Sequence, residues 1–133
     1  MTGMGYDFHI TRRDNWYDEG ADISADEWLK YVESDPELSI DESNGKYFAI
    51  WKEGWLDWRR GEIYTKNPRK NLVEKMIQIA NRLNAKVQGD EGEVYIDSSQ
   101  VPDDEETDRN LELIRQGLSS AHKQNWWRML WGK

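Results

Sequence analysis

Tyr6, Phe8 and Ile10 alternate with Asp7, His9 and Thr11, the period of a strand with one buried face. A polar stretch with Gly20 follows. Ser24-Ala-Asp-Glu27 then has the form of a capping box, the Ser24 hydroxyl accepting from the third amide while Glu27 reaches back to the cap. Trp28, Leu29 and Val32 give that helix its apolar stripe, and Asp35-Pro36 predicts its end. Asn44-Gly45 is the next turn signal. Lys46 to Trp51, Trp55 to Trp58 and Glu62 to Thr65 are rich in strand formers and separated at Gly54 and Gly61, which predicts an antiparallel meander. Trp51 and Trp55 are expected on one side of it, and Trp58 on the other.

Asn67-Pro68 predicts a second helix, with Asn67 as N-cap and the proline in the first turn. Leu72, Met76, Ile79, Ala80 and Leu83 form its stripe, and Asn84 is its expected C-cap. Lys86-Val-Gln88 and Glu93-Val-Tyr-Ile96 flank Gly89-Asp-Glu-Gly92 as a tight hairpin. A polar, acidic run from Ser98 to Asp108 leads into a last helix expected near Asp103 or Thr107, with Leu111, Ile114 and Leu118 on one side. Strands and helices mix without strict βαβ alternation. The expected fold class is therefore α+β: an antiparallel sheet of about four to six strands with two or three helices, mainly on one face. Residues 1–120 read as one domain, and residues 121–133 as an aromatic tail.

Composition narrows the chemistry. The 133 residues contain no cysteine, which removes disulfides, thiolate nucleophiles and cysteine metal sites together. The N-terminus lacks the basic and apolar regions of a signal peptide, and no apolar run approaches the ~20 residues of a spanning helix. The expectation is a cytoplasmic chain with no membrane span. Eight tryptophans are more than a chain this small readily hides, so some are expected at the surface, where tryptophan is enriched at binding hot spots.

The formal net charge of -8 is unevenly spread. Residues 21–45 carry eight acids against Lys30, whereas residues 46–75 carry eight bases against four acids. Acids favour a helix N-terminus, and a capped, solvated helix accounts for part of that segment. Eight acids against one base exceed what capping requires. Such a segment repels nucleic acid and attracts a basic protein surface. Asp26, Glu33, Asp35, Asp41 and Glu42 are its candidate contacts, with Asp90 and Glu91 at the hairpin tip as a second acidic site.

Trp55 and Trp58 are the candidate aromatic contacts. One or two of Trp51, Trp55 and Trp58 are expected in the core, and the remainder could form a platform beside Arg59 and Arg60. The carboxylates of the hairpin lack the twelve-residue pattern of a calcium loop. His9 and His122 stand in no metal-spaced pair, and His9 is expected at the surface or partly packed. No metal, cofactor or catalytic residue is predicted. In the tail, Trp126, Trp127, Leu130 and Trp131 would share one side of a helix, suited to docking on the domain, oligomer contact or a partner. A bilayer interface would also take such a segment, but the acidic body opposes anionic lipid.

Two stretches carry a resemblance. One is Tyr6-Asp-Phe-His-Ile-Thr-Arg12 with Ile23-Ser-Ala-Asp-Glu-Trp28 and Tyr31-Val-Glu-Ser-Asp-Pro-Glu-Leu38. The other is Lys75-Met-Ile-Gln-Ile-Ala80 with Ala85-Lys-Val-Gln-Gly-Asp-Glu-Gly-Glu-Val-Tyr95. Over residues 6–96 the chain resembles a family of small, largely uncharacterised bacterial proteins, some of which look like immunity partners of secreted interbacterial toxins. The resemblance implies a binding protein and assigns no functional residue. It agrees with the reading from the residues: a protein that occludes a cognate toxin domain with a basic cleft through an acidic, tryptophan-containing surface. A carbohydrate- or peptide-binding module built on a tryptophan platform is the alternative, and a carboxylate-dependent hydrolase the third.

Overall fold

The computed structural model describes residues 6–101; the expected helix after Asp103 and the tryptophans of the tail lie outside the described residues. Seven strands and two helices follow one another as β1 (Asp7–Thr11), α1 (Ala25–Ser34), β2 (Ser39–Ile40), β3 (Ala49–Trp51), β4 (Gly54–Arg59), β5 (Glu62–Lys66), α2 (Lys70–Arg82), β6 (Lys86–Gly89) and β7 (Val94–Tyr95), with a 3₁₀ turn at Ser98–Gln100. The strands form one antiparallel sheet in the order β2-β3-β4-β5-β1-β6-β7. The chain is α+β, with more strands than the four to six expected. The pair Ser39–Ile40 is too short to announce itself by alternation.

Strand β1 lies inside this sheet, between β5 and β6. Phe8 pairs with Thr65 and Gly89, Ile10 with Ile63 and Val87. These residues share the face that both helices cover. Trp28 and Val32 of α1 and Leu72, Val73, Met76, Ile79 and Ala80 of α2 fill the core against Phe8, Ile10, Ala49, Leu56, Ile63 and Val87. The buried Trp28 ring has its Nε1–H satisfied by the Tyr47 carbonyl at 2.8 Å. Gly54 permits the approach of α2, since a Cβ there would stand 2.8 Å from Leu72 Cδ2.

The capping box of α1 is present in full: Glu27 N–H donates to Ser24 Oγ at 3.0 Å and Ser24 N–H to Glu27 Oε1 at 2.9 Å. Arg12 donates to both oxygens of Glu27 and holds its carboxyl down to about 2. Ser24→Ala should therefore lower stability by about 1 kcal/mol in urea denaturation, the usual cost of a lost N-cap. A value near zero would show that Glu27 and Arg12 hold the helix start without the hydroxyl.

Three local expectations change. The N-cap of α2 is Arg69, not Asn67. Asn67 has φ +47°, its side chain accepts from Tyr6 N–H at 2.9 Å and its own N–H donates to Tyr6 O at 2.8 Å. Engaged there, it closes the β1–β5 pair, and the helix starts later. At the other end Asn84 takes the left-handed conformation, φ +55°, directly after the C-cap Leu83. The third change concerns the tryptophans. Trp51 pairs with Gly54 across a two-residue turn, so it shares the helix-covered face with Leu56 and Trp58, while Trp55 points the other way with Ile50.

Candidate functional site

The sheet face opposite the helices carries Ile50, Trp55, Asp57, Arg59, Glu62, Tyr64, Lys66, Asp7, His9, Thr11, Lys86 and Gln88 by strand parity. Residues 12–22 fold back over its β1–β6 side. Trp16 N–H donates to Gln88 Oε1 at 2.7 Å, Gln88 Nε2 donates to Asp14 O at 3.1 Å, and Arg13 N–H donates to Thr11 Oγ1 at 3.1 Å. Arg13 holds the loop from within: its guanidinium donates to the carbonyls of Gly20, Trp16 and Arg60 and to Asp22 Oδ1. Polar residues of a nominally open face, His9, Thr11 and Gln88, are thereby buried.

His9 is the focus of this arrangement. Its side chain has no exposure; Nδ1 lies 2.6 Å from Glu62 Oε1 and Nε2 lies 2.9 Å from Asp90 Oδ1. The Trp16 ring stacks on the imidazole at 3.9 Å between centroids and 5° between planes. Trp16 Nε1–H donates to Asp90 O at 3.1 Å, and Asp7 N–H donates to Asp90 Oδ2 at 3.0 Å. Two carboxylates can both accept from the ring only if both nitrogens carry protons, so the geometry selects the imidazolium. Burial of the ring works against that charge, but the bonds to Asp90 and Glu62 outweigh it and hold the His9 pKa above its ordinary value. With both nitrogens engaged, His9 is no free general base. The expectation of a surface or partly packed histidine is corrected: β1 alternation places His9 off the core correctly, but the covering loop makes that position an interior one.

Beside the covered region the same face is uncovered among the described residues. Trp55 stacks on Phe48 at 5.2 Å and meets Tyr64 edge-on at 5.6 Å, and the Arg59 guanidinium lies 3.8 Å over Tyr64. Asp57 shares this strip, and burial holds its carboxyl above the ordinary carboxylate value. At the rim, between the 12–22 loop and the β4–β5 turn, lies a cavity of about 750 Å³ bordered by Trp16, Tyr17, Trp58, Arg60 and Glu62. Arg60 and Gly61 both have φ > 0, as a two-residue hairpin of this twist requires.

The expected contact residues divide between two surfaces. Asp26 and Glu33 stand exposed on the rim of a groove of about 610 Å³ between α1 and β2, floored by Leu29, Val32, Leu38 and Ile40. Glu42 is exposed on the turn after β2. Half-buried Asp41 organises that turn, accepting from Ser43 N–H and Oγ and from Asn44 Nδ2. Asp35 is corrected. It also lines the groove but is buried, accepting from Lys75 Nζ at 2.8 Å and Tyr31 Oη at 2.6 Å, so it is engaged within the fold. Asp90 is likewise engaged, by His9, and Glu91 is exposed beside it. Trp58 donates to Ile23 O at 2.7 Å from the helix-covered side, leaving Trp55 as the tryptophan of the open strip.

The acidic segment is also less free than its composition implies. Asp22, Asp26, Glu27, Asp35 and Glu37 pair with Arg13, Lys30, Arg12 and Lys75. No group of three or more His, Asp or Glu is placed to hold a metal ion, and no helix is long and apolar enough to cross a membrane, among the described residues. Comparison with protein-family models, curated proteins and solved structures gave no match.

Proposed function

We propose that this chain is a cytoplasmic, immunity-type binding protein that occludes a cognate toxin domain bearing a basic cleft. The observation that carries the reading is the α1–β2 groove: an apolar floor with Asp26 and Glu33 on its rim and Glu42 on the adjoining turn. Carboxylates around an apolar patch steer a basic partner and exclude nucleic acid, while the floor supplies the buried area that holds the complex. Glu33 and Glu42 have no cation partner among the described residues, so their charge is available to a partner.

The test is charge reversal with a partner identified by rescue. The product of the neighbouring reading frame is expressed alone and with this chain; restored growth identifies it as the cognate toxin. Asp26→Lys with Glu33→Lys should then slow association about tenfold to a hundredfold at low salt and flatten its salt dependence. Unchanged association by a folded double variant would remove the groove from the interface.

The Trp55 strip favours the second reading, a carbohydrate- or peptide-binding module. An indole flanked by Phe48, Tyr64, Asp57 and Arg59 offers a stacking plane with polar groups beside it. A glycan screen in which a ligand shifts the fluorescence of wild type but not of Trp55→Ala, with no toxin neutralised, would favour it.

A further inference from the structure

The His9 clamp joins strand β1 and the adjoining 12–22 loop, through Trp16, to two pieces of chain distant in sequence: β5 through Glu62 and the β6–β7 hairpin through Asp90. We propose that this clamp is a proton-operated latch, which holds the Trp16 ring and the Asp90 loop down while His9 is charged and frees them when the proton leaves. The inference stands apart from the nature of the partner. Its basis is a count of donors. An imidazolium donates to Glu62 and Asp90 together, whereas a neutral imidazole donates to one and turns a lone pair toward the other. Glu62 is fixed on β5 and nearly buried, while Asp90 sits on a hairpin loop with a third of its side chain exposed. The contact that gives way is therefore the one to Asp90.

Among the described residues no other group facing the ring replaces the lost proton. From β5 come Glu62 and Tyr64, and the latter already carries Arg59 over its ring. From β6 come the neutral Gln88, engaged by Trp16 and Asp14, and Lys86, whose Nζ donates to Arg13 O. On β1 itself Asp7 is paired with Lys66 and Arg59. Arg13 keeps the backbone of the 12–22 loop in place, so the Trp16 ring and the Asp90 loop are what move. Trp16 and Glu62 border the 750 Å³ cavity, so release of the Trp16 ring changes the wall of that cavity. Because the carboxylates outweigh burial, release comes above the ordinary histidine range.

Hydrogen exchange on the full chain tests the latch directly. The Asp7 amide donates to Asp90 Oδ2 and the Trp16 indole N–H to Asp90 O, so both report the closed state. In a His122→Gln background, nitrogen-15 shifts of the imidazole follow His9 alone. Through its titration the protection of the two reporters should fall about 10–100-fold beyond the intrinsic pH effect, the worth of a hydrogen bond to a charged group, with α2 amides unchanged. His9→Gln should show the low protection already at pH 6 and no step. Asp90→Asn, a milder change, should also abolish the step. Reporters that stay flat through the His9 titration overturn the latch. So does a loss shared equally by α2, which would be global unfolding.

Discussion

Lys75→Met is expected to lower stability by about 3–5 kcal/mol, the cost of leaving one partner of a buried ion pair alone. Lys75 reaches out of α2 with its Nζ 2.8 Å from Asp35 Oδ2 and 2.7 Å from Glu37 Oε1. The Lys75 and Asp35 side chains are 6% and 8% exposed, whereas Glu37 is open to water, so the cost falls on Asp35. Methionine keeps the apolar stem of lysine and removes only the charge. Asp35 would retain Tyr31 Oη at 2.6 Å and Glu37 N–H at 2.9 Å, but its negative charge would face the interior without a cation. Asp35→Asn in the Lys75→Met background should return part of the loss, because an amide needs no counter-charge. Urea denaturation of the two single variants and the double variant measures the coupling. A cost for Lys75→Met below about 1 kcal/mol, the value of a surface pair, would show that water reaches this site.

The same pair shows what the sequence makes legible. The capping box of α1, the stripe of α2 and the meander are read from residues close in the chain, where propensity and periodicity act. Asp35 looks like a free acid in an acidic segment because its cation stands forty residues later. Asp22 and Glu27 find Arg13 and Arg12, which precede them in a stretch without regular structure. Composition counts such charges but cannot pair them. The face of Trp55 differs from the expected one for a smaller reason: a two-residue turn at Lys52 and Glu53 resets parity between β3 and β4. His9 is the clearest case. Alternation assigns it correctly to the face away from the helices, yet its burial depends on a loop anchored by Gln88, which lies 72 residues after Trp16 and 74 after Asp14. A triad assembled from β1, β5 and a hairpin tip leaves no motif in the sequence.

His9→Leu should cost about 3–5 kcal/mol at pH 6, because Glu62 would remain buried with no positive partner. Leucine still packs under Trp16, so most of the loss is electrostatic. That origin gives the penalty a pH dependence of definite sign. The folded-state pKa of His9 lies above its ordinary value, since the bonds to Asp90 and Glu62 more than offset burial. A group raised in this way binds its proton more tightly folded than unfolded, and stability then falls as pH rises between the two values. The stabilisation is complete below the ordinary histidine pKa of about 6.5 and is lost as pH climbs through the raised one. The difference between wild type and His9→Leu, in which titrations away from the clamp cancel, should therefore be largest near pH 6 and shrink in alkali. It should not vanish, because neutral His9 still donates one hydrogen bond. Urea denaturation of both proteins across that pH range measures the difference. A penalty equal at both ends would mean that His9 is already neutral in the fold.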